Sequence, residues 1–243
     1  MNAVQPIYPP IEIQYLKLLK ELQTIIVKAI SSLGGKKPAD AGSAYLGSIA
    51  TTVNRASDGY LLLRESARVD ASKLLIRPAL EAVFCGVAAV KDKDFLFRKA
   101  YSEWEEDKKL FAKDEAGKKE ANDFLKRFQT QFTKHNPDYP VKLTNIKIRE
   151  TSEMAGLLPV YDHAYRIYCK YTHSAMRAVL GNLNQGTDLS DTPTIVWCVL
   201  FILKQLKQYT PAEIPDLNVF DQRVAILDAE LSKHPPTHRI DIS

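Results

Sequence analysis

The sequence predicts an all-α helical bundle of about six to eight helices, and three observations lead to this fold class. Glycine is scarce, at 10 of 243 residues, whereas folds with many tight turns need more of it. Apolar residues recur at spacings of three and four along most of the chain, which is the period of a helix buried on one face. The chain is 45% apolar and 26% charged, an ordinary globular composition that excludes wholesale disorder.

The first two predicted helices have the clearest periodicity. One is expected over Ile11–Leu33, after a proline-rich arm, and ends at Gly34-Gly35 because glycine is favoured just past a helix. The second is expected from about Asp40 to Arg68. Its apolar stripe steps by four and three residues through Ile49, Val53, Ala56, Tyr60, Leu63 and Ala67. Such steps are typical of long helices packed nearly antiparallel.

A third helix, capped by Asp70, is expected to lie at the centre of the bundle. From Leu74 to Val90 the sequence is apolar all round, which indicates a helix surrounded by other helices. Only Arg77 and Glu81 interrupt it, and they are one turn apart, so they share a face and can pair. The interpretations that remain open are a buried ion pair that fixes helix register, a charged cavity wall, or support for another side chain.

Within the single domain that we assign to residues 1–243, residues 92–150 could form a projecting helical arm and loop. Gly117 is expected to break this part into a hairpin. Its lysines alternate with acidic residues, which favours a solvated surface. A narrow aromatic stripe runs along it, formed by Phe97, Tyr101, Trp104, Phe111, Phe124, Phe128 and Phe132.

Three further helices and an extended tail complete the predicted fold. The helices are expected from Thr151 or Pro159 to about Leu180, from Pro193 to about Tyr209 and from Asp216 to Leu231, and the tail covers 233–243. The longest apolar run is about half the length of a membrane span, and the N-terminus has no signal-peptide pattern. We therefore expect a cytoplasmic protein that makes no membrane contact.

The helix expected from Leu157 to Leu180 brings the candidate catalytic and substrate-binding residues together. At about 100° per residue, one of its faces carries Arg166, Lys170, His173 and Arg177. One interpretation is a solvated helix face. The flanking residues are apolar, however, which favours partial cover by another helix or subunit. A histidine beside arginines also suits proton transfer in phosphodiester chemistry.

The stretch Arg166-Ile-Tyr-Cys-Lys-Tyr-Thr-His173 resembles the Arg-x4-6-His motif of the HEPN superfamily. These are helical-bundle proteins that include many bacterial toxin and defence ribonucleases. Residues 60–90 and 161–177 also resemble bacterial helical families with Arg-x-x-x-Glu on one helix and Tyr-x-x-Tyr/Ser-x-x-x-His on a later one. The matching positions in this sequence are Arg77, Glu81, Tyr165, Tyr168 and His173.

The resemblance implies a metal-independent RNA cut in a cleft between two protomers. His173 would assist attack of the ribose 2′-hydroxyl, and Arg166 would neutralise charge on the phosphoryl oxygens. Lys170 and Arg177 would hold the RNA backbone. The supporting residues would be Arg77, Glu81, Tyr165, Tyr168 and Thr172. A toxin or anti-phage defence role, a homodimer and an antitoxin or other partner protein follow from the same resemblance, and no cofactor is needed.

The alternative is a non-catalytic helical module that binds a partner protein or a nucleotide. A metal site is not expected, because Asp162, His163 and His173 lack the H-E-x-x-H or E-x-x-H spacing of known helical sites. The three cysteines lie far apart with no C-x-x-C pair, which argues against a disulfide framework or a zinc ribbon.

Overall fold

Helices account for the regular secondary structure in the described part of the chain, which confirms the predicted all-α bundle. The computed structural model describes residues 9–34, 40–92, 94–110, 114–135, 137, 145–172, 191–211 and 213–233. Within these ranges, no helix combines the length and apolar content needed to cross a membrane.

The first seven helices are α1 (Pro10–Leu33), α2 (Ala41–Glu65), α3 (Val69–Lys73), α4 (Ile76–Lys91), α5 (Phe95–Leu110), α6 (Glu115–His135) and α7 (Ile148–Met154). A short α8 (Leu158–Val160) leads through a π-helical turn (Tyr161–Tyr165) into α9 (Arg166–Thr172). The described helices end with α10 (Asp191–Lys207) and α11 (Asn218–Leu231).

The central helix begins later than predicted, because of Pro78. In a helix running continuously from Asp70, the ring of Pro78 would clash with the carbonyl of Leu74. The chain instead forms α3, turns, and starts α4 at Ile76. Pro78 then lies in the first turn, where an amide would have no partner within the helix. Asp70 therefore lies inside α3 and does not cap the central helix, contrary to the prediction.

The break between α5 and α6 does not fall at Gly117, contrary to the prediction. Gly117 lies in the first turn of α6, where Asp114 accepts a hydrogen bond from the amide of Ala116 at 3.1 Å. A glycine in a helix costs only about 1 kcal/mol relative to alanine. The cap and the surrounding helix-forming residues offset that cost, so α6 already begins at Glu115.

The helix predicted to begin near Thr151 or Pro159 is divided in two. It is interrupted after α7 by Gly156, whose φ of +72° lies in the left-handed region that glycine favours. From Leu158 the helical path continues through the π-helical turn to Thr172. Residues 173–180 of the predicted helix, and the tail from residue 234, lie outside the described residues.

The apolar helix α4 lies at the centre of the bundle, as predicted. Every residue from Ala82 to Ala89 is buried, and α2, α7, α9 and α10 all pack against α4. The helices α2 and α4 approach each other closely, because a glycine of each helix lies at their contact. A Cβ atom on Gly42 would lie 2.5 Å from the carbonyl oxygen of Ala89, and one on Gly86 would lie 2.8 Å from Ile49 Cγ2.

The two helices of the α5–α6 hairpin pack mainly on each other through an antiparallel aromatic seam. The rings of Trp104 and Phe124 are stacked with centroids 4.0 Å apart, and those of Phe97 and Phe132 meet edge-on at 5.3 Å. At its base, the hairpin joins the bundle through α4 and through an ion pair between Arg98 and Glu150 of α7. A hydrogen bond from the amide of Ile146 to Ser102 Oγ, at 2.7 Å, adds to this junction.

We predict that Gly42→Ala destabilises the protein by about 1–3 kcal/mol, because the added methyl group meets a backbone oxygen that cannot rotate away. The matched control is Gly47→Ala in the same helix, where the nearest atom to the new methyl group is Leu33 Cδ1 at 3.5 Å. That change should stabilise α2 by about 0.5–1 kcal/mol. Urea unfolding followed by circular dichroism measures the free energy of unfolding of both variants. Equal changes of the same sign would contradict the close packing of Gly42 against the backbone of α4.

Candidate functional site

A cluster of three side chains joins α4 to the π-helical turn that leads directly into α9. Arg77 Nε donates to Glu81 Oε1 at 2.8 Å, and the hydroxyl of Tyr165 donates to the same oxygen at 2.6 Å. The guanidinium carbon of Arg77 also lies 5.7 Å from the centre of the Tyr165 ring, within the range of a cation–π contact. Three of the five predicted supporting residues therefore meet at one point.

The pairing of Arg77 with Glu81 is present as predicted, but the pair lies at the margin of the core. Their side chains are 25% and 37% exposed, whereas the phenol ring of Tyr165 is buried beneath them. Water can therefore reach both charges, so removing one of them costs less than in a sealed core. The interpretation as a buried ion pair is therefore wrong, whereas the bond from Tyr165 to Glu81 agrees with support for another side chain.

The environment of Tyr165 makes it a donor of hydrogen bonds. Burial raises the pKa of its phenol far above the usual value, and its hydrogen bonds to the Glu81 carboxylate and Cys169 raise the pKa further. A phenol with such a pKa stays protonated at neutral pH. Tyr165 can therefore orient α9 and hold Glu81, but it is unsuited to act as a base.

A second cluster joins α9 to α3 and to the start of α10. The hydroxyl of Tyr168 donates to Asp191 Oδ1 at 3.0 Å, and Lys73 Nζ lies 3.8 Å from Asp191 Oδ2. All three side chains are buried. Asp191 also lies in the first turn of α10, where the helix dipole favours a negative charge. Tyr168, a predicted supporting residue, therefore belongs to a different cluster from Tyr165.

A third cluster lies next to the second and joins α1, α2 and α10. Glu12 and Arg64 form an ion pair whose side chains are 1% and 0% exposed. Thr192, the neighbour of Asp191 in sequence, donates to Glu12 Oε1 at 2.8 Å. The hydroxyls of Tyr60 and Thr192 are also 2.8 Å apart. The two adjoining clusters thus place buried charges of both signs at the meeting point of five helices.

Sequence reasoning missed Glu12, Arg64, Lys73 and Asp191, because each pairs with a residue far away in the chain. The signal that could have found Arg64 is its spacing, since it lies one turn after Tyr60 on the apolar stripe of α2. Glu12 similarly lies beside Ile11 at the edge of the apolar face of α1. Charges on a buried stripe need a partner of opposite sign.

Arg166 lies apart from these clusters, on the solvent side of α9. Its side chain is 68% exposed, and its nearest acidic atom among the described residues is Asp162 Oδ1 at 3.9 Å. Ile167 beside it is 44% exposed. Arg166 directly follows the π-helical turn, a feature often found at functional sites. Its guanidinium is therefore accessible to an anion in solution.

The other predicted catalytic and substrate-binding positions cannot be placed relative to Arg166. Lys170 and Thr172 belong to α9, but their side chains lie outside the described structure. His173 and Arg177 lie outside the described residues altogether. Among the residues that are described, no group of three or more acidic, histidine or cysteine side chains is arranged to hold a metal ion.

We predict that Glu12→Ala destabilises the protein by about 3–5 kcal/mol, because Arg64 then loses its carboxylate in a site without water. Glu81→Ala serves as the matched control, since it also removes one carboxylate from an arginine. Because Arg77 and Glu81 are partly exposed, we expect a cost of only about 1–2 kcal/mol there. Urea unfolding measures both variants, and equal losses would show that burial does not govern these two pairs.

Comparison with known protein families finds one family model whose matched range includes residues of α4 and α9. A family model described as "Family of unknown function (DUF5677)" matches residues 43–190, which span α2 to α9 and exceed half of the chain. No curated protein and no solved structure matches the chain. The matched range includes Arg77, Glu81, Tyr165 and Arg166, but it ends just before Asp191. The chain thus belongs to DUF5677, a family of unknown function.

Proposed function

We propose that the protein is a HEPN-like, metal-independent endoribonuclease of the cytoplasm. The observation that carries the proposal is the exposed guanidinium of Arg166 on a helix that two buried tyrosines hold in place. In the sequence pattern, Arg166 lies in one row with Lys170, His173 and Arg177. A planar guanidinium on a fixed helix can stabilise charge that develops on a phosphate.

The reaction begins with removal of a proton from the ribose 2′-hydroxyl by neutral His173. The 2′-oxygen attacks the adjacent phosphorus, and the bond from phosphorus to the 5′-oxygen breaks. The products are a 2′,3′-cyclic phosphate and a 5′-hydroxyl end. The leaving 5′-oxygen takes up a proton from water, and protonated His173 returns its proton to the solvent. Arg166 donates hydrogen bonds to the phosphoryl oxygens, while Lys170 and Arg177 hold the flanking backbone.

Tyr165, at the end of the π-helical turn, and Tyr168 of α9 act as positioning residues in this proposal. Tyr165 is bonded to Glu81 and Tyr168 to Asp191, on two different helices of the bundle. The two bonds resist rotation of α9 about its axis, so the direction of the Arg166 side chain from the helix is defined. Such pre-organisation supports catalysis, because little rearrangement is needed when charge develops.

A shared cleft between two protomers is part of the same proposal. Ile167 is 44% exposed beside Arg166, and a symmetric dimer would cover it. A toxin or defence role then supplies a reason for regulation, in which an antitoxin or other partner protein covers the cleft until cutting is needed. Light scattering tests the dimer, which requires a mass near twice 27.4 kDa.

We predict that the purified protein cuts mixed RNA in the presence of EDTA and leaves 2′,3′-cyclic or 3′-phosphate ends. His173→Ala and Arg166→Ala should each lower the cleavage rate by about 10²- to 10⁴-fold. Arg166→Lys should restore only part of the rate, because lysine lacks the planar fork. Arg55→Ala, which removes an exposed arginine of α2, is the matched control and should cut normally. Gel electrophoresis of the fragments provides the measurement.

Two results would contradict the proposal. If wild-type protein leaves RNA intact as a dimer and as a monomer, the non-catalytic binding module replaces it. If His173→Ala cuts as fast as wild type, the assignment of His173 as the base is wrong. Circular dichroism of each variant shows whether the bundle is retained, which separates loss of activity from loss of fold.

A further inference from the structure

The outer face of the last three turns of α6 carries more positive than negative charge, although the exposed carboxylate of Asp123 lies in the same arc, one turn before Lys126. From Phe124 to His135 the helix contains no acidic residue. At about 100° per residue, the cations Lys126, Arg127 and Lys134 fall within one arc of about 100°. All three are exposed, and none forms an ion pair with another described residue. The face is about 12 Å long from Lys126 to Lys134, at 1.5 Å per residue.

The neighbouring helix α5 differs, because its charges are already paired. Lys108 pairs with Glu105 and Lys109 with Glu106 on the same helix, at 3.3 and 2.7 Å. Lys99 likewise pairs with Glu103. Among the described residues of α5, Asp107 is the one carboxylate outside these ion pairs. An external polyanion therefore complements the charge of the α6 face better than α5 of a second copy does.

The aromatic residues of the hairpin restrict the kind of anion that suits this face. Phe124, Phe128 and Phe132 lie on the opposite side of α6, where they pack against Trp104 and Phe97 in the seam. They are not on the basic face to stack on nucleic-acid bases. The basic face therefore offers charge alone, which suits a repeating phosphate backbone that is bound without regard to sequence.

We propose that this basic face of α6 (Lys126, Arg127 and Lys134) is a second RNA-binding surface, separate from the row that begins at Arg166. It binds the phosphate backbone of the RNA. That the bound RNA is also a substrate rests on the proposed ribonuclease function, whereas the binding itself does not. The surface raises the affinity for longer RNA and leaves the chemistry at the cut unchanged.

The test measures binding and cleavage separately. Fluorescence anisotropy with a 20-nucleotide 2′-O-methyl RNA reports binding, because this probe lacks the hydroxyl that the proposed reaction needs. The variant is Lys126→Gln/Arg127→Gln/Lys134→Gln in the full chain. The matched control is Lys17→Gln/Lys28→Gln/Arg55→Gln, which removes the same charges from exposed positions on α1 and α2.

We expect the α6 variant to bind the probe about 10- to 100-fold more weakly than wild type at 0.1 M salt. The slope of log affinity against log salt should fall in magnitude by about 2, since each phosphate contact on a single strand contributes about 0.7. The control should bind within about twofold of wild type. Circular dichroism should show all three proteins equally helical.

Three outcomes would overturn the proposal. The first is a wild-type protein that does not bind the probe, and the second is an α6 variant that binds as well as wild type. The third is competition by polyglutamate at the same charge concentration as RNA, which would indicate an acidic protein partner. If the α6 variant loses binding while wild type cuts no RNA, this surface is supported and the ribonuclease function is not. If wild type cuts RNA and the α6 variant binds the probe as well as wild type does, the ribonuclease function is supported and this surface is not.

Discussion

The side chain of Arg64 is 0% exposed, and the arrangement of three helices follows from the need to neutralise its charge. Its partner Glu12 lies near the start of α1, and Thr192 on α10 completes the bonding of that carboxylate. A buried charge without a partner costs several kcal/mol. A shift of α1 or α10 by one turn would separate these groups, so the pair restricts the register of the bundle more strongly than apolar contacts alone.

The helices could be predicted from the sequence because each one has its own apolar period. The predicted start of α2 near Asp40 and the predicted central position of α4 agree with the structure. Both predictions rest on residues that are close together in the sequence. The predicted cap of the central helix at Asp70 and the predicted break at Gly117 were wrong. Pro78 prevents a continuous helix from Asp70, and Asp114 caps a helix that includes Gly117. Where a helix begins or ends depends on which of several nearby capping or helix-breaking residues has the largest effect. Apolar periodicity does not indicate which residue that is.

The candidate site was only partly predictable for a similar reason. Arg77 and Glu81 were found because a spacing of four on one helix implies contact. The bond from Tyr165 to Glu81 joins two helical segments far apart in the chain. The resemblance to other helical families named both residues, but it did not pair them. The pairs of Glu12 with Arg64 and Lys73 with Asp191 require knowledge of which helices pack together. Periodicity specifies a helix face but does not identify its neighbour.

The aromatic seam of the α5–α6 hairpin affects how stability is distributed in the molecule. The hairpin has its own apolar contacts, and among the described residues it joins the bundle chiefly at its base, around Arg98 and Ser102. Segments of this kind can open as cooperative units without unfolding the rest of a protein. Amide hydrogens near Phe128 should therefore exchange with solvent faster than those of α4, where every side chain from Ala82 to Ala89 is enclosed.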